Sequence, residues 1–168
     1  MPFEPRPIRV LFVCLGNICR SPLAEGVFRA EVFGAGLSGR IEVDSVGTGH
    51  WHIGDPPHER SRAVAKERGF SIDDLRGRQI DPLDFSRFDY VIAMDRNNLA
   101  DLRYMAPSSQ HRKIGLFLSY ASDAGAQVEE DEVPDPYGYP IETYRETLDL
   151  CEIAAKGLLA YIRNKEGL

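Results

Sequence analysis

The sequence is poor in cysteine, in positive charge and in long apolar runs. Three cysteines, Cys14, Cys19 and Cys151, are too few and odd in number to build a disulfide-stapled fold, which leaves catalysis, redox chemistry or packing as their use. No stretch approaches the ~20 apolar residues that a helix needs to cross a bilayer, so membrane insertion is not expected. Twenty Lys and Arg stand against 26 Asp and Glu, a net charge of −6, which argues against nonspecific binding to nucleic acid. The opening stretch "MPFEPRPIRVLFVC" carries three prolines and an acid before its short apolar segment, a poor signal peptide. Repeats and low-complexity segments are absent. These deficits point to a cytoplasmic protein whose 168 residues form a single domain, 1–168, around one core.

What is present alternates between strand and helix patterns. "IRVLFVC" (8–14) is a nearly continuous apolar strand, as expected when both faces of a parallel sheet are covered. "SPLAEGVFRAEVF" follows at helical spacing, with Ser21 as N-cap and Pro22 at the first helical position. "IEVDSVG" (41–47) is a second strand and "PHERSRAVAKERGF" (57–70) a charged helix. "FDYVIAMD" (88–95) is a third strand, "RNNLADLRYM" a short helix and "RKIGLFLSY" (112–120) a fourth strand. After a long loop, 121–138, the stretch 140–165 is the longest helix, and Cys151 within it reads as a core residue. Such alternation predicts an α/β fold with an open parallel sheet, whose ligands sit at the carboxyl ends of the strands.

The first strand-to-helix loop lies at that place, and it reads Cys14, Leu15, Gly16, Asn17, Ile18, Cys19, Arg20, Ser21. A thiol at a helix entry faces backbone N–H groups and the positive end of the helix dipole, and both favour the thiolate. The same N–H groups can cradle phosphate oxygens. Gly16 permits a tight turn and Asn17 tolerates left-handed backbone. Arg20 offers a planar fork for two oxygens, and Ser21 can donate a hydrogen bond to the sulfur. A nucleophilic sulfur beneath such donors suits a phosphoryl group or an oxyanion of similar shape. Phosphoryl transfer to sulfur also needs a proton for the departing oxygen. Asp135, stiffened between two prolines in "VPDPYG", is the candidate donor, with Tyr137 beside it.

With these residues in view, the sequence resembles the low-molecular-weight protein tyrosine phosphatases. "VCLGNICRSPLAE" matches that family's phosphate loop and "DPYG" its acid loop. "SVGTGHWHIGDPP", "RQI" and "FDYVIAMDRNNLADL" match further segments in the same order. The resemblance implies a four-stranded parallel sheet flanked by helices on both faces, a flavodoxin-like architecture. It also implies hydrolysis of protein phosphotyrosine and aryl phosphates through a cysteinyl-phosphate. Carried over, it makes Cys14 the nucleophile, Arg20 the phosphate binder and Asp135 the general acid and base, with Leu15 to Arg20 as the phosphate-binding loop. Asn17, Ser21, Ser45 and Asp95 become supports of that loop, and Leu15, Trp51 and Tyr137 walls of the substrate cleft. Cys19 becomes the redox partner that traps oxidised Cys14 as a disulfide; packing beneath the loop is the other reading of its place.

Three departures stand out. Leu75 replaces a histidine frequent in the family just before the Arg-Gln pair, which removes a loop contact. Tyr137 is followed by Gly138 rather than a second tyrosine, which opens the rim or hands the role to Tyr139. The acidic run "EEDE" (129–132) matches no family role and reads as solvated loop. Neither His50 and His52 nor Cys14 and Cys19 offer a convincing metal set, and no metal or cofactor is expected. The expected partner is a tyrosine-phosphorylated protein, with phosphate and other oxyanions as inhibitors. Arsenate reductases share this fold but need relay cysteines, which 71–98 lacks. Protein-arginine phosphatases typically carry Thr at the place of Ile18, an apolar residue better suited to a phenyl ring.

Overall fold

The strand β1, Ile8–Cys14, runs through the middle of the molecule and explains its own apolar sequence. In the computed structural model, which describes residues 4–168, Val10 and Phe12 face one core cluster while Leu11 and Val13 face another. That is the two-residue alternation of a strand covered on both sides. β2 (Ile41–Gly47) pairs with one edge of β1 and β3 (Tyr90–Ala93) with the other, and β4 (Ile114–Leu116) lies outside β3. The order is β2-β1-β3-β4 and every pairing is parallel. Register runs from Ile8 opposite Ile41 to Cys14 opposite Gly47.

Helices cover both faces. α1 (Arg20–Gly34), α2 (Glu59–Glu67) and α5 (Ile141–Glu166) bring Leu23, Phe28, Val64, Leu148 and Leu158 onto the Phe12 face. α3 (Asp84–Arg87) and α4 (Arg96–Met105) bring Phe85 and Leu102 onto the Val13 face. The chain leaves β1 towards β2, then crosses back to form β3 on the other side. The carboxyl ends of β1 and β3 therefore flank the point where the connections diverge, where α/β sheets open a crevice.

Several boundaries differ from the sequence reading. β1, β2 and α4 fall where expected, but β3 is shorter than 88–95 and β4 far shorter than 112–120. After Leu116 the chain tightens into a 3-10 turn, Phe117–Ala124, whose Phe117, Leu118 and Ala121 are buried in the core beside α5. An apolar run on a turn packed against a helix looks like a buried strand when read alone. Ser21 is not an N-cap: α1 starts at Arg20, and the cap position is Cys19. α2 starts only at Glu59, where the His58 ring accepts from Arg60 N. Along α5, Gly157 lets the helix lie directly on the Tyr120 carbonyl; a Cβ there would sit 1.8 Å from that oxygen. No helix among the described residues is long and apolar enough to cross a membrane.

Candidate active site

The loop after β1 turns its carbonyl groups outward and ties them down. Cys14 O accepts from Thr48 N at 2.9 Å, Leu15 O from Gly49 N at 2.9 Å and Ile18 O from His58 N at 2.7 Å. Cys19 O accepts from Ser61 Oγ at 3.3 Å. A carbonyl and the N–H that follows it point in opposite directions across a trans peptide, and all described peptides are trans. Fixing these four oxygens outward therefore aims the N–H groups of Leu15, Gly16, Cys19 and Arg20 inward, as a cup for an anion. Asn17 makes the turn in left-handed backbone, φ 57°, and its N–H lies 3.3 Å from Cys14 Sγ. Gly47 lets β2 approach closely, since a Cβ there would meet Leu15 O at 2.8 Å.

Under the cup runs a buried polar chain. Asn17 Nδ2 donates to Ser21 Oγ at 2.8 Å and to Ser45 Oγ at 3.0 Å, while Asn17 Oδ1 accepts from Arg78 N at 2.9 Å. Ser21 Oγ lies 3.0 Å from Cys14 Sγ, in reach to donate to it. Ser45 Oγ donates to Glu25 Oε1 at 2.7 Å, and Glu25 is also held by Arg29. Burial pushes the Glu25 carboxyl up, against the Ser45 hydrogen bond and the Arg29 charge. Every group in this chain is partnered, which rigidifies rather than weakens a low-dielectric interior. The Leu75 side chain packs against the apolar core; the backbone of Arg78 donates to Asn17.

Arg20 is almost wholly buried and faces three acceptors. Its Nη1 lies 2.5 Å from Asp95 Oδ2 and 3.0 Å from Val133 O, and its Nη2 lies 3.7 Å from Asp135 Oδ2. Burial opposes its charge, but Cys14, Asp95 and Asp135 outweigh burial and raise its pKa. Asp95 caps α4 in a reciprocal box: Asn98 N donates to Asp95 Oδ1 at 2.8 Å and Asp95 N to Asn98 Oδ1 at 3.2 Å. The cap leaves Oδ2 aimed at Arg20.

The segment carrying Asp135 is strapped to this same turn. Val133 N donates to Met94 O at 2.8 Å. Arg96 gives its backbone N–H to Glu132 Oε2 at 3.0 Å and Nη1 to Glu132 Oε1 at 3.1 Å, with Nη2 on Asp131. Half of the acidic run 129–132, read from sequence as plain solvated loop, is thus a clamp at the N-terminus of α4, where the helix dipole favours carboxylates. Tyr137 N donates to Asp135 Oδ1 at 3.1 Å.

These parts converge on a cavity of about 180 Å³ lined by Cys14, Leu15, Ile18, Arg20, Trp51, His52, Asp135 and Tyr137. Trp51 and Tyr137 stand out into solvent as rim residues. Tyr139 does not line the cavity; its carbonyl accepts from Arg60 Nη1 at 2.9 Å. A larger groove of about 830 Å³ runs between α1 and β2, away from Cys14 and Arg20, and no cysteine lines it.

Cys19 also borders the smaller cavity and is buried, its Sγ 3.5 Å from Tyr144 Oη. Burial foremost, with the charges of Cys14 and Asp135, pushes its thiol up to about 11 despite that bond. Cys151 is fully buried in the core, where burial pushes its thiol to about 12. His52 Nδ1 lies 3.0 Å from Asp55 and the His50 ring stacks on Trp51, so both rings have other partners. No group of three or more metal-ligating side chains occurs among the described residues.

The structure brings together every side chain assigned to the site from sequence: Cys14, Arg20 and Asp135 at the cavity, Asn17, Ser21 and Ser45 below it, and Asp95 behind Arg20. It adds Glu25, which sequence reasoning passed over. The available signal was spacing, since Glu25 lies four residues after Ser21 and so one turn above it on α1. Val133 acts through its backbone carbonyl and left no such signal.

The sequence model of the family described as "Low molecular weight phosphotyrosine protein phosphatase" matches residues 9–167. The low molecular weight protein-tyrosine-phosphatase YfkJ of Bacillus subtilis is 42% identical over 161 residues, 96% of this chain and 99% of the relative. The crystal structure of YfkJ superposes with a TM-score of 0.89 at 40% identity, covering 98% of this chain and 99% of that one. A low molecular weight protein-tyrosine-phosphatase of Streptomyces coelicolor is 44% identical over 158 residues, 94% of each chain. The fold is also shared with a Drosophila arginine phosphatase, TM-score 0.84 at 32% identity over 93% of this chain and 98% of that one.

Proposed function

This chain belongs to the low molecular weight phosphotyrosine protein phosphatase family, and from that premise we propose which of its residues carry the reaction. It is a phosphatase that hydrolyses phosphotyrosine in protein substrates. In our reading the Cys14 thiolate attacks the phosphorus from the floor of the cup. Asp135 gives its proton to the departing phenolic oxygen, and a cysteinyl-phosphate remains. The Asp135 carboxylate then takes a proton from water, water oxygen bonds to phosphorus, and the S–P bond breaks to return the thiolate and inorganic phosphate. Arg20 and the inward N–H groups hold the three equatorial oxygens throughout, where charge builds in the transition state. Ser21 steadies the sulfur as leaving group in the second step.

The observation that carries this reading is the outward tethering of the Cys14, Leu15, Ile18 and Cys19 carbonyls around a thiol, with Arg20 and Asp135 in the same cavity. Phosphate, vanadate and similar oxyanions should compete for the cup. Ile18, apolar and almost buried at the cavity wall, favours an aryl group over a guanidino group.

The test is Cys14→Ser. It should lose essentially all turnover of p-nitrophenyl phosphate while still binding vanadate, and should retain tyrosine-phosphorylated proteins from a lysate. Appreciable residual turnover would remove Cys14 from the role. Asp135→Asn should slow phosphotyrosine far more than the activated nitrophenyl ester, whose oxygen needs less protonation. Equal losses would give Asp135 another task.

A further inference from the structure

We propose that a groove beside the catalytic cavity is a subsite for a basic residue flanking the phosphotyrosine of the substrate, with Asp101 reading its charge. The inference rests on the reading that the cavity itself receives phosphotyrosine. The groove, about 240 Å³, is lined by Leu15, Trp51, Asp101, Tyr104 and Met105 among others. It shares Leu15 and Trp51 with the catalytic cavity. A polypeptide with its phosphorylated ring in the one therefore passes over those two side chains into the other.

The far wall comes from α4. Asp101, Tyr104 and Met105 are spaced i, i+3 and i+4, which puts them on one face of the helix. Leu102, buried in the core, fixes that face outward. Tyr104 is 92% exposed and Trp51 63%, and contiguous apolar surface left to water marks an interaction site. The catalytic cavity needs no contribution from Tyr104 or Met105.

The occupant follows from the charge. Asp101 has no hydrogen bond or ion pair among the described residues and is the one charged side chain of a groove that Leu15, Thr48, Trp51, Tyr104 and Met105 also line. A purely apolar guest would leave that carboxylate unpaired. Arginine or lysine satisfies both parts: its methylene stem covers Leu15 and Met105, and its cationic head meets Asp101 and the faces of Trp51 or Tyr104. The net charge of −6 draws a basic segment in the same direction.

The experiment measures kcat/KM of the full chain on phosphotyrosine peptides carrying Arg, Leu, Glu or Ala at each of the three positions on either side, with p-nitrophenyl phosphate as the substrate that lacks flanks. At one position Arg should exceed Ala by about 3–10-fold and Glu should fall below it. Asp101→Asn should erase that advantage and Asp101→Lys should shift it to Glu, both with nitrophenyl turnover unchanged. Tyr104→Ala should lower the Arg peptide towards the Ala peptide. The subsite is overturned if the Arg advantage survives Asp101→Asn, if Leu is preferred at that position, or if flanking residues have no effect. A wild-type chain inert towards p-nitrophenyl phosphate would take down the phosphatase reading itself, and the subsite with it.

Discussion

Arg20 Nη1 lies 3.0 Å from the carbonyl oxygen of Val133, so Arg20 and the strap carrying Asp135 form one hydrogen-bonded unit. The same guanidinium nitrogen meets Asp95, the cap of α4. The proposed acid, Asp135, and the proposed anion binder, Arg20, are thereby set relative to each other before any substrate arrives, which is where much of the rate of a positioned reaction originates.

The outer end of this unit is ionic and exposed, through Arg96 and its partners Asp131 and Glu132. Arg96→Ala should lower kcat on a phosphotyrosine peptide about 3–10-fold and leave p-nitrophenyl phosphate within about twofold. Raising the salt concentration on the wild type should reproduce part of the loss, because exposed pairs are screened. An equal effect on both substrates, or none, would reduce the clamp to surface decoration.

Asn17 combines left-handed backbone with three side-chain hydrogen bonds, two of them buried. Asn17→Ala loses all three and should cost about 2–4 kcal/mol, a fall in Tm of about 5–12 °C. Turnover should drop at least about tenfold, since the cup loses its support. Asn17→Gly relieves the backbone but not the missing bonds, so it should regain about 1 kcal/mol of stability and none of the activity. A Gly variant as active as wild type would show that only the turn matters.

Ile18, Leu15, Trp51 and Tyr137 enclose the cavity above the cup. Phosphoserine is too short to reach the cup and fill that slot together, so phosphotyrosine should lead by about two orders of magnitude or more in kcat/KM. Ile18→Thr should narrow the gap between phosphotyrosine and phosphoarginine. Comparable wild-type rates on phosphoserine and phosphotyrosine peptides would contradict the slot.

The raised Cys19 thiol sets the terms for a redox switch. With its pKa pushed up to about 11, Cys19 is almost all thiol at neutral pH, and its thiolate fraction grows about tenfold per pH unit. Trapping of a Cys14 sulfenic acid as a disulfide should therefore accelerate by about a hundredfold over the two pH units from about pH 6.5 to about pH 8.5. Peptide mass spectrometry after a peroxide pulse reads the Cys14–Cys19 link directly, and reductant should restore activity. Cys19→Ser should be inactivated as readily but recover poorly. A link absent at every pH would leave Cys19 as packing beneath the loop.

What sequence reasoning reaches and what it misses divides along a physical line. Cys14, Arg20, Asn17, Ser21 and Asp135 were legible because their side chains have chemistry that few other residue types share. β1 was legible because a nearly continuous apolar run of strand length is a local signal, and β2 because its residues alternate. The outward carbonyls and Val133 O were not, since every residue carries a carbonyl and only the fold selects which ones work. The clamp escaped for a related reason: Arg96 and Glu132 lie 36 residues apart, and charged loops look alike until a partner is found. β4 was read too long because burial on a 3-10 turn and burial in a strand leave the same apolar run.

Gly157 gives the protein a remote handle on its own chemistry. As a helix residue it is a poor choice, about 1 kcal/mol worse than alanine in a free helix. Here alanine would drive its Cβ into the Tyr120 carbonyl, and a rigid helix yields by sliding as a whole rather than by bending at one turn. Thirteen residues up the same rod, roughly 20 Å away, Tyr144 touches Cys19 and stacks on His58, whose N–H anchors Ile18 O. A one-methyl change at the back of the molecule therefore acts as a lever on the floor of the cup, detuning a reaction it never touches.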